Sequence, residues 1–243
     1  MQTAPQLSII VAARISASTI RACLETLERN LAAAGPGETE VIVVDGHSID
    51  GTLDIVHSFS FPKTIVSSEV GAARAYNQGV RQARGRWIAF LNSDDEWAEG
   101  FLGAVLARLR GRKAERQAER LVLHTAVQFI DGRGRDLYRR YPAPYIGFIQ
   151  KYYSVILHPN ACYPAALMKR HPFPILEGNR FSDREQVWTL MREARAVRVP
   201  EAFYRYRISP HSGTVQLARQ GTIRKSPVGV RLVALVGRLY VQW

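Results

Sequence analysis

The first hundred residues alternate between two hydrophobic rhythms. Leu7-Ser8-Ile9-Ile10-Val11 is a short apolar run that predicts a first strand. Ile20, Cys23, Leu24, Leu27 and Leu31 then recur at spacings of three and four, which predicts a helix, with Ser16 or Ser18 as its cap. Glu40-Val41-Ile42-Val43-Val44 predicts a second strand that ends at Asp45. Asp50-Gly51-Thr52 then turns the chain into a helix carrying Ile55, Val56 and Phe59. Lys63 to Val66 reads as a short third strand, and Ala72 to Arg84 as a helix with Tyr76, Val80 and Ala83 inward. This alternation predicts an α/β fold with a mostly parallel sheet and right-handed crossovers.

The next segment is the most informative in the chain. Trp87-Ile88-Ala89-Phe90-Leu91 is continuously apolar, as a strand buried on both faces requires, and it runs straight into Asn92-Ser93-Asp94-Asp95-Glu96. Acids at the carboxyl end of such a strand lie where open α/β sheets place ligands. Adjacent carboxylates are hard oxygen ligands suited to Mg²⁺ or Mn²⁺. The second half is less regular. Leu121 to Ile130 predicts a strand, Asp131-Gly132 a turn, and Arg135 to Tyr138 a return strand. Residues 141–180 predict loops and short elements, Asp183 to Ala194 a helix, and Phe203 to Ile208 a strand.

Composition narrows the class. The 243 residues are 47% hydrophobic, enough to fill one sizeable core. Cys23 and Cys162 have no metal-type spacing, which fits a reducing compartment and argues against a disulfide framework. Met1 to Gln6 lacks a basic region followed by an apolar stretch, so no signal peptide is expected. No uncharged apolar run reaches the length of a membrane span. The expected location is cytoplasmic. The formal charge of +12 is unevenly placed, with no acid after Glu201 and a second basic run at Arg108 to Lys113. Such patches attract phosphorylated substrates, anionic lipid or nucleic acid, or are simply solvated faces. No nucleic-acid reader pattern accompanies them, so no nucleic-acid partner is expected. No G-x-G-x-x-G follows the first strand, which disfavours a dinucleotide-dependent oxidoreductase.

Four features follow one another in order: Ala12-Ala13 at the end of strand one, Val44-Asp45-Gly46-His47-Ser48-Ile49-Asp50-Gly51-Thr52, Gly71 to Gly79 with the Ala83-Arg84-Gly85 turn, and Phe90-Leu91-Asn92-Ser93-Asp94-Asp95. This order resembles family 2 glycosyltransferases, whose segments read "VVDDGSTDGT", "N-x-G…A-x-G" and "FLDSDD". The resemblance is strong over 7–97 and weak over 155–214. It implies a Rossmann-like GT-A fold and inverting transfer of a sugar from a nucleotide-diphosphate donor to a glycan or lipid-linked acceptor, in surface polysaccharide synthesis. It implies a divalent cofactor, Mn²⁺ or Mg²⁺. Ala12, Asp45, Gly46, Arg74, Asn77, Asn92, Ser93 and Arg207 are the implied donor-binding positions, with Arg74 and Arg207 as phosphate contacts. Asn77 is alternatively a loop brace, and Asp50 a helix cap or a support of the nucleotide loop. Asp94, with Asp95 and His211, is the implied metal set. The family's acidic triplet is Asp-x-Asp; here the first acid is Asn92. That departure lowers the expected metal affinity and keeps open a degenerate, non-catalytic binding module. Asp183 at a helix start is the implied general base, with Glu185 as the second candidate. His158 falls where acceptor contacts are expected, and His124 and Cys162 read as structural.

The tail carries a separate signal. Ser226-Pro227 opens a helix through Trp243, with Arg231, Arg238 and Gln242 on one stripe of an otherwise apolar surface. That pattern fits peripheral contact with the inner face of an anionic membrane, or docking onto the catalytic domain or a second subunit as in a homodimer. The expected organisation is a catalytic domain over 1–214 and a basic amphipathic helical appendage over 215–243.

Overall fold

The structure is a computed structural model, which describes residues 4–111, 118–152, 154–175 and 182–209. The apolar runs become the centre of a nine-stranded sheet. Its strands are β1 (Leu7–Ala13), β2 (Thr39–Asp45), β3 (Thr64–Ser67), β4 (Trp87–Asn92), β5 (Glu96–Trp97), β6 (Leu121–Ile130), β7 (Asp136–Arg140), β8 (Ala161–Pro164) and β9 (Arg195–Arg207). The order is β3-β2-β1-β4-β8-β6-β9-β5, with β7 on β6. The first four strands pair in parallel, as the alternation predicts. The second half is mixed: β8 is antiparallel to β4 and β6, β7 is antiparallel to β6, and β9 is parallel to β6.

Both faces are covered, which is why the central strands read as continuous apolar runs. On one face lie α1 (Ile20–Leu31), α2 (Thr52–His57) and α4 (Phe101–Leu109), which add Ile20, Leu24, Leu27, Val56, Phe101 and Val105 to the core around Ile9 and Leu91. On the other lie α3 (Ala72–Gln82), α6 (Ala165–Arg170) and α7 (Ser182–Leu190), which pack Val80, Leu167, Met168, Val187 and Leu190 around Ile10 and Phe90. A short helix, α5 (Gly147–Tyr152), and a single 3₁₀ turn at His158–Asn160 complete the described elements. Neither Ser16 nor Ser18 caps α1: the N-cap is Thr19 and makes no side-chain cap bond. Ser16 holds the helix start through its carbonyl, which accepts from the Thr19 and Ile20 N–H groups, and this frees its hydroxyl for the loops above.

Two motif glycines are explained by packing. A Cβ on Gly79 would stand 2.5 Å from Ile10 Cγ2, so its absence lets α3 lie directly on β1. A Cβ on Gly85 would stand 2.6 Å from both the Ser8 backbone nitrogen and Oγ. Backbone cannot give way as a flexible side chain can. Gly85→Ala is therefore expected to destabilise the protein by about 3 kcal/mol, read as a lowered denaturant midpoint. Gly103→Ala, whose Cβ would meet only Ala33 Cβ at 3.5 Å, is the control and should be neutral or slightly stabilising.

The tail helix over 226–243, the appendage over 215–243 and His211 lie outside the described residues. Among the described residues, no helix is long and apolar enough to cross a membrane.

Candidate active site

The site forms where β1, β2 and β4 end together. Ala13 pairs with Asp45 and Ala12 with Asn92, so Asp45 and Asn92 flank the tip of β1, two strand spacings or about 10 Å apart. Asp45 is 5% exposed. Its Oδ2 accepts the Ser48 N–H at 3.0 Å, while Oδ1 is buried with no partner among the described residues. A buried carboxylate oxygen in that state fits a donor brought by a ligand. The surrounding loops are tied to one another. The Gly46 N–H donates to the Ala13 carbonyl at 2.9 Å. Asp50 accepts from the Ala17 N–H at 2.9 Å and from the Thr52 N–H and hydroxyl, and these bonds hold its carboxyl below the usual range. The N-cap of α2 is Gly51, without a side-chain cap bond, so Asp50 is not the helix cap; it holds Thr52 and braces the loop after β1. Ile15 (φ 49°) and His47 (φ 62°) take left-handed backbone conformations in those same loops. Side chains rarely adopt that region, and such positions concentrate at functional sites.

The acidic turn divides its work between two aspartates. Asp95 is 2% exposed and fully engaged. Its Oδ2 accepts from the Tyr204 hydroxyl at 2.7 Å and from Asn92 Nδ2 at 3.1 Å, and its Oδ1 accepts the Arg207 N–H at 2.7 Å. Asn92 Oδ1 accepts the Tyr76 hydroxyl at 2.8 Å. The Asn92 amide is thus a bridge between Tyr76 and Asp95. Asp94 differs: among the described residues no other side chain hydrogen-bonds its carboxylate. Burial raises the Asp94 carboxyl pKa, against the Arg207 charge. Burial and then the neighbouring Asp94 charge raise that of Asp95. Ser93 Oγ shares a 2.7 Å hydrogen bond with Ser16 Oγ, joining the turn to the loop after β1. The backbone of Ala12, meanwhile, accepts the Ser93 N–H.

Arg207 is placed differently from a phosphate contact. Its guanidinium is buried and donates to the carbonyls of Asp94 (2.8 Å), Asp131 (3.1 Å) and Gly132 (3.2 Å) and to Glu96. Those bonds make it a brace for the acidic turn. Arg74 is paired with exposed Glu69 at 2.5 Å. Asn77 clasps the backbone of Phe173, donating to its carbonyl at 3.0 Å and accepting its N–H at 2.8 Å, so the loop-brace alternative describes its contacts.

On the α3 side of the sheet, α7 presents Asp183 at its first turn, half-buried. Burial raises its carboxyl pKa, opposed by the N–H groups of Arg184 and of Asp183 itself. Glu185 is exposed. The Tyr76 hydroxyl, which donates to Asn92 Oδ1, lies in the field of the Asp183, Asp94 and Asp95 charges. Beneath it, His158 is caged by Tyr76 (4.8 Å between centroids), Phe90 (4.3 Å) and Phe173 (4.7 Å). Burial drives its pKa down to about 3, and both ring nitrogens are buried without a hydrogen-bond partner among the described residues. His124 and Cys162 are likewise buried. Sequence reasoning missed Tyr76 and Tyr204 as site residues. The signal was there for Tyr76, which precedes Asn77 in the motif, whereas Tyr204 lies on β9, more than a hundred residues away.

The chemistry of the acids fits a divalent cation that arrives with a diphosphate. Asp95 and Asn92 are committed, which leaves Asp94 as one free hard-oxygen ligand beside the donor loops. Mg²⁺ and Mn²⁺ often bind through one or two carboxylates plus substrate phosphates and water. Among the described residues no cluster of three or more acidic, His or Cys side chains forms an all-protein cage.

Comparison with known proteins gives the same family. The family model for glycosyl transferase family 2 matches residues 8–173. A PGL/p-HBAD biosynthesis glycosyltransferase of Mycobacterium bovis is 34% identical over 124 residues, covering 49% of this chain and 46% of that one. The succinoglycan biosynthesis protein ExoO of Rhizobium meliloti is 28% identical over 235 residues, covering 91% of this chain and 63% of that one. The chain thus spans about half to two thirds of the length of these relatives. Among solved structures, the mannosyltransferase PcManGT of Pyrobaculum calidifontis, in complex with GDP-Man and Mn²⁺, superposes with a TM-score of 0.60 at 20% identity, over 96% of this chain and 69% of that one. That likeness shows a shared GT-A fold. With more than half of its length matched by the family model, the chain belongs to glycosyl transferase family 2.

Proposed function

We propose that this chain transfers a sugar from a nucleoside-diphosphate donor to a hydroxyl of a glycan or lipid-linked acceptor, with inversion, in the synthesis of a polysaccharide or glycolipid. One observation carries the reading. Asp45 Oδ1, buried without a hydrogen-bond partner among the described residues, and the Asp94 carboxylate, which no other side chain among them hydrogen-bonds, lie at and just past the ends of β2 and β4, the two strands that flank β1. A nucleotide laid across those strand ends would give its base or ribose to Asp45 and its diphosphate to Asp94. When bound there, a divalent cation would neutralise the charge that develops on the leaving diphosphate. Asp183 takes the acceptor proton as the acceptor oxygen bonds to the sugar's anomeric carbon. The bond from that carbon to the diphosphate breaks, and its electron pair leaves with the phosphate. Burial that raises the Asp183 carboxyl pKa moves it toward the range in which a base works best near neutrality. Asn92 gives no support to a degenerate module, because its amide is built into the hydrogen-bond chain that holds the turn.

Calorimetric titration of the protein with UDP and with GDP, each with Mn²⁺, tests this. One nucleotide should bind, and Asp45→Asn should weaken it by about tenfold. Failure of both nucleotides to bind, or full affinity in the Asp45 variant, would sink the reading.

A further inference from the structure

Arg140 is the described arginine whose burial and partners do not match. It ends β7, half-buried, and its Nη2 is buried with no hydrogen-bond partner among the described residues. Its neighbours are satisfied. Arg139 donates to Gln128 Oε1 at 2.7 Å and lies 5.1 Å over the Phe203 ring. Arg205 pairs with Glu96 and Asp136, Arg207 with Glu96, and Arg135 with Asp131. Those pairs engage Glu96, Asp131 and Asp136, and no ion pair to Arg140 is found among the described residues. Burying a cation without a partner is costly, and a fold keeps such a group where a ligand completes it.

Its place in the sheet says which ligand. Arg140 pairs with Val127, and Val127 pairs on its other side with Tyr204. Directly opposed residues share a face, so Arg140 and Tyr204 stand on one face about 10 Å apart. The Tyr204 hydroxyl touches Asp95. Tyr138, two residues before Arg140 on the same face, stacks on Phe129 at 4.4 Å, and Phe129 meets Tyr206 at 5.6 Å. Arg140 therefore shares a sheet face with these aromatic side chains, on the far side of the acidic turn from Asp45. The donor loops lie on the other side, on β1 and β2. Both ring nitrogens of His124 also lack partners among the described residues, and burial, then the charges of Arg198 and Arg140, lower its pKa.

We infer that Arg140 recognises an oxyanion carried by the acceptor, a phosphate or a carboxylate, and so selects negatively charged acceptors. The inference rests on the transferase reading for its placement of donor and acceptor sides. A guanidinium offers a planar pair of donors that matches either anion.

The test uses the full chain saturated with UDP or GDP and Mn²⁺, titrated calorimetrically with glycerol phosphate, glucuronate, glycerol and glucose. The unmodified protein should bind at least one of the two anions. Arg140→Gln should weaken that binding by about tenfold or more, with Arg140→Lys between the two. Glycerol and glucose should not distinguish the proteins, and nucleotide affinity should be unchanged. Whichever anion binds more tightly identifies phosphate or carboxylate as the source. Because Arg140→Gln removes an unpaired buried cation, its thermal midpoint should equal or exceed that of the unmodified protein, which separates lost recognition from lost folding. Equal anion affinity in both proteins, no anion binding in the unmodified protein, or an equal loss of nucleotide affinity would overturn the inference. Absent nucleotide binding would instead overturn the transferase reading, and the anion titration on nucleotide-free protein would still read Arg140.

Discussion

Asp183→Asn and Asp94→Asn proteins should fold normally and lose sugar transfer by a factor of about 10²–10⁴. The two losses should differ in kind. Asp183 stands at the start of α7, on an element separate from the strand tips that carry Asp45 and Asp94, so its loss should spare nucleotide binding and remove the proton acceptor. Asp94 is the free carboxylate of the turn, so its loss should also weaken Mn²⁺-dependent nucleotide binding. Both carboxyls have folded pKa values raised by burial. A carboxyl raised in this way favours the fold while protonated, and that contribution is lost as pH rises through its folded pKa. These two carboxyls should therefore cost the ligand-free protein stability from the ordinary carboxylate range, about pH 4, upward toward neutrality, so each variant should gain stability relative to the parent as pH rises through that range. Thermal midpoints across that range check this. The acid limb of the kcat/KM profile should sit above the usual aspartate range and vanish in Asp183→Asn.

Restoring the family's first acid should harm the protein. Asn92→Asp recreates the Asp-x-Asp triplet, yet the structure holds an amide there for a physical reason. Asn92 Nδ2 donates to Asp95 Oδ2 at 3.1 Å, and a carboxylate in its place would set two acidic oxygens face to face in a buried turn. Asp95 would lose one of three donors and gain a like charge. The expected cost is about 2–4 kcal/mol at neutral pH, or a midpoint lower by about 5–15 °C. The new carboxyl's folded pKa would be raised, so the deficit should shrink as pH falls and the pair takes up a proton. Transfer activity should fall with it, because the same bridge positions Tyr76. A variant as stable as the parent, with higher activity, would show that Asn92 is merely a lost metal ligand.

The first half of the fold was legible because its strands are covered on both faces. Continuous runs such as Val41–Val44 and Trp87–Leu91 admit few other readings, and the inward faces of α1 and α3 follow a 3.6-residue period. The second half was less so. The helix Phe101–Leu109 went unread behind its basic continuation, and the two-residue strand Glu96–Trp97 is set by pairing with Arg205 and Tyr204, partners no local pattern announces. Strand β9, read as 203–208, begins at Arg195, where exposed arginines break the apolar rhythm. The motif acids sit at strand ends as their spacing implies. What a motif does not specify is which members face inward. Asp95, Asn92 and Arg207 hold one another, and only the three-dimensional pairing with Tyr76 and Tyr204 leaves Asp94 as the free acid.

A crystal structure of the protein with UDP or GDP and Mn²⁺ tests the central claim most directly. The base or ribose should donate to Asp45 Oδ1, with the diphosphate and its ion against Asp94 and the Asp95 carboxylate still held by Tyr204. A nucleotide bound elsewhere, or an ion on Asp95 with Asp94 turned to solvent, would contradict it.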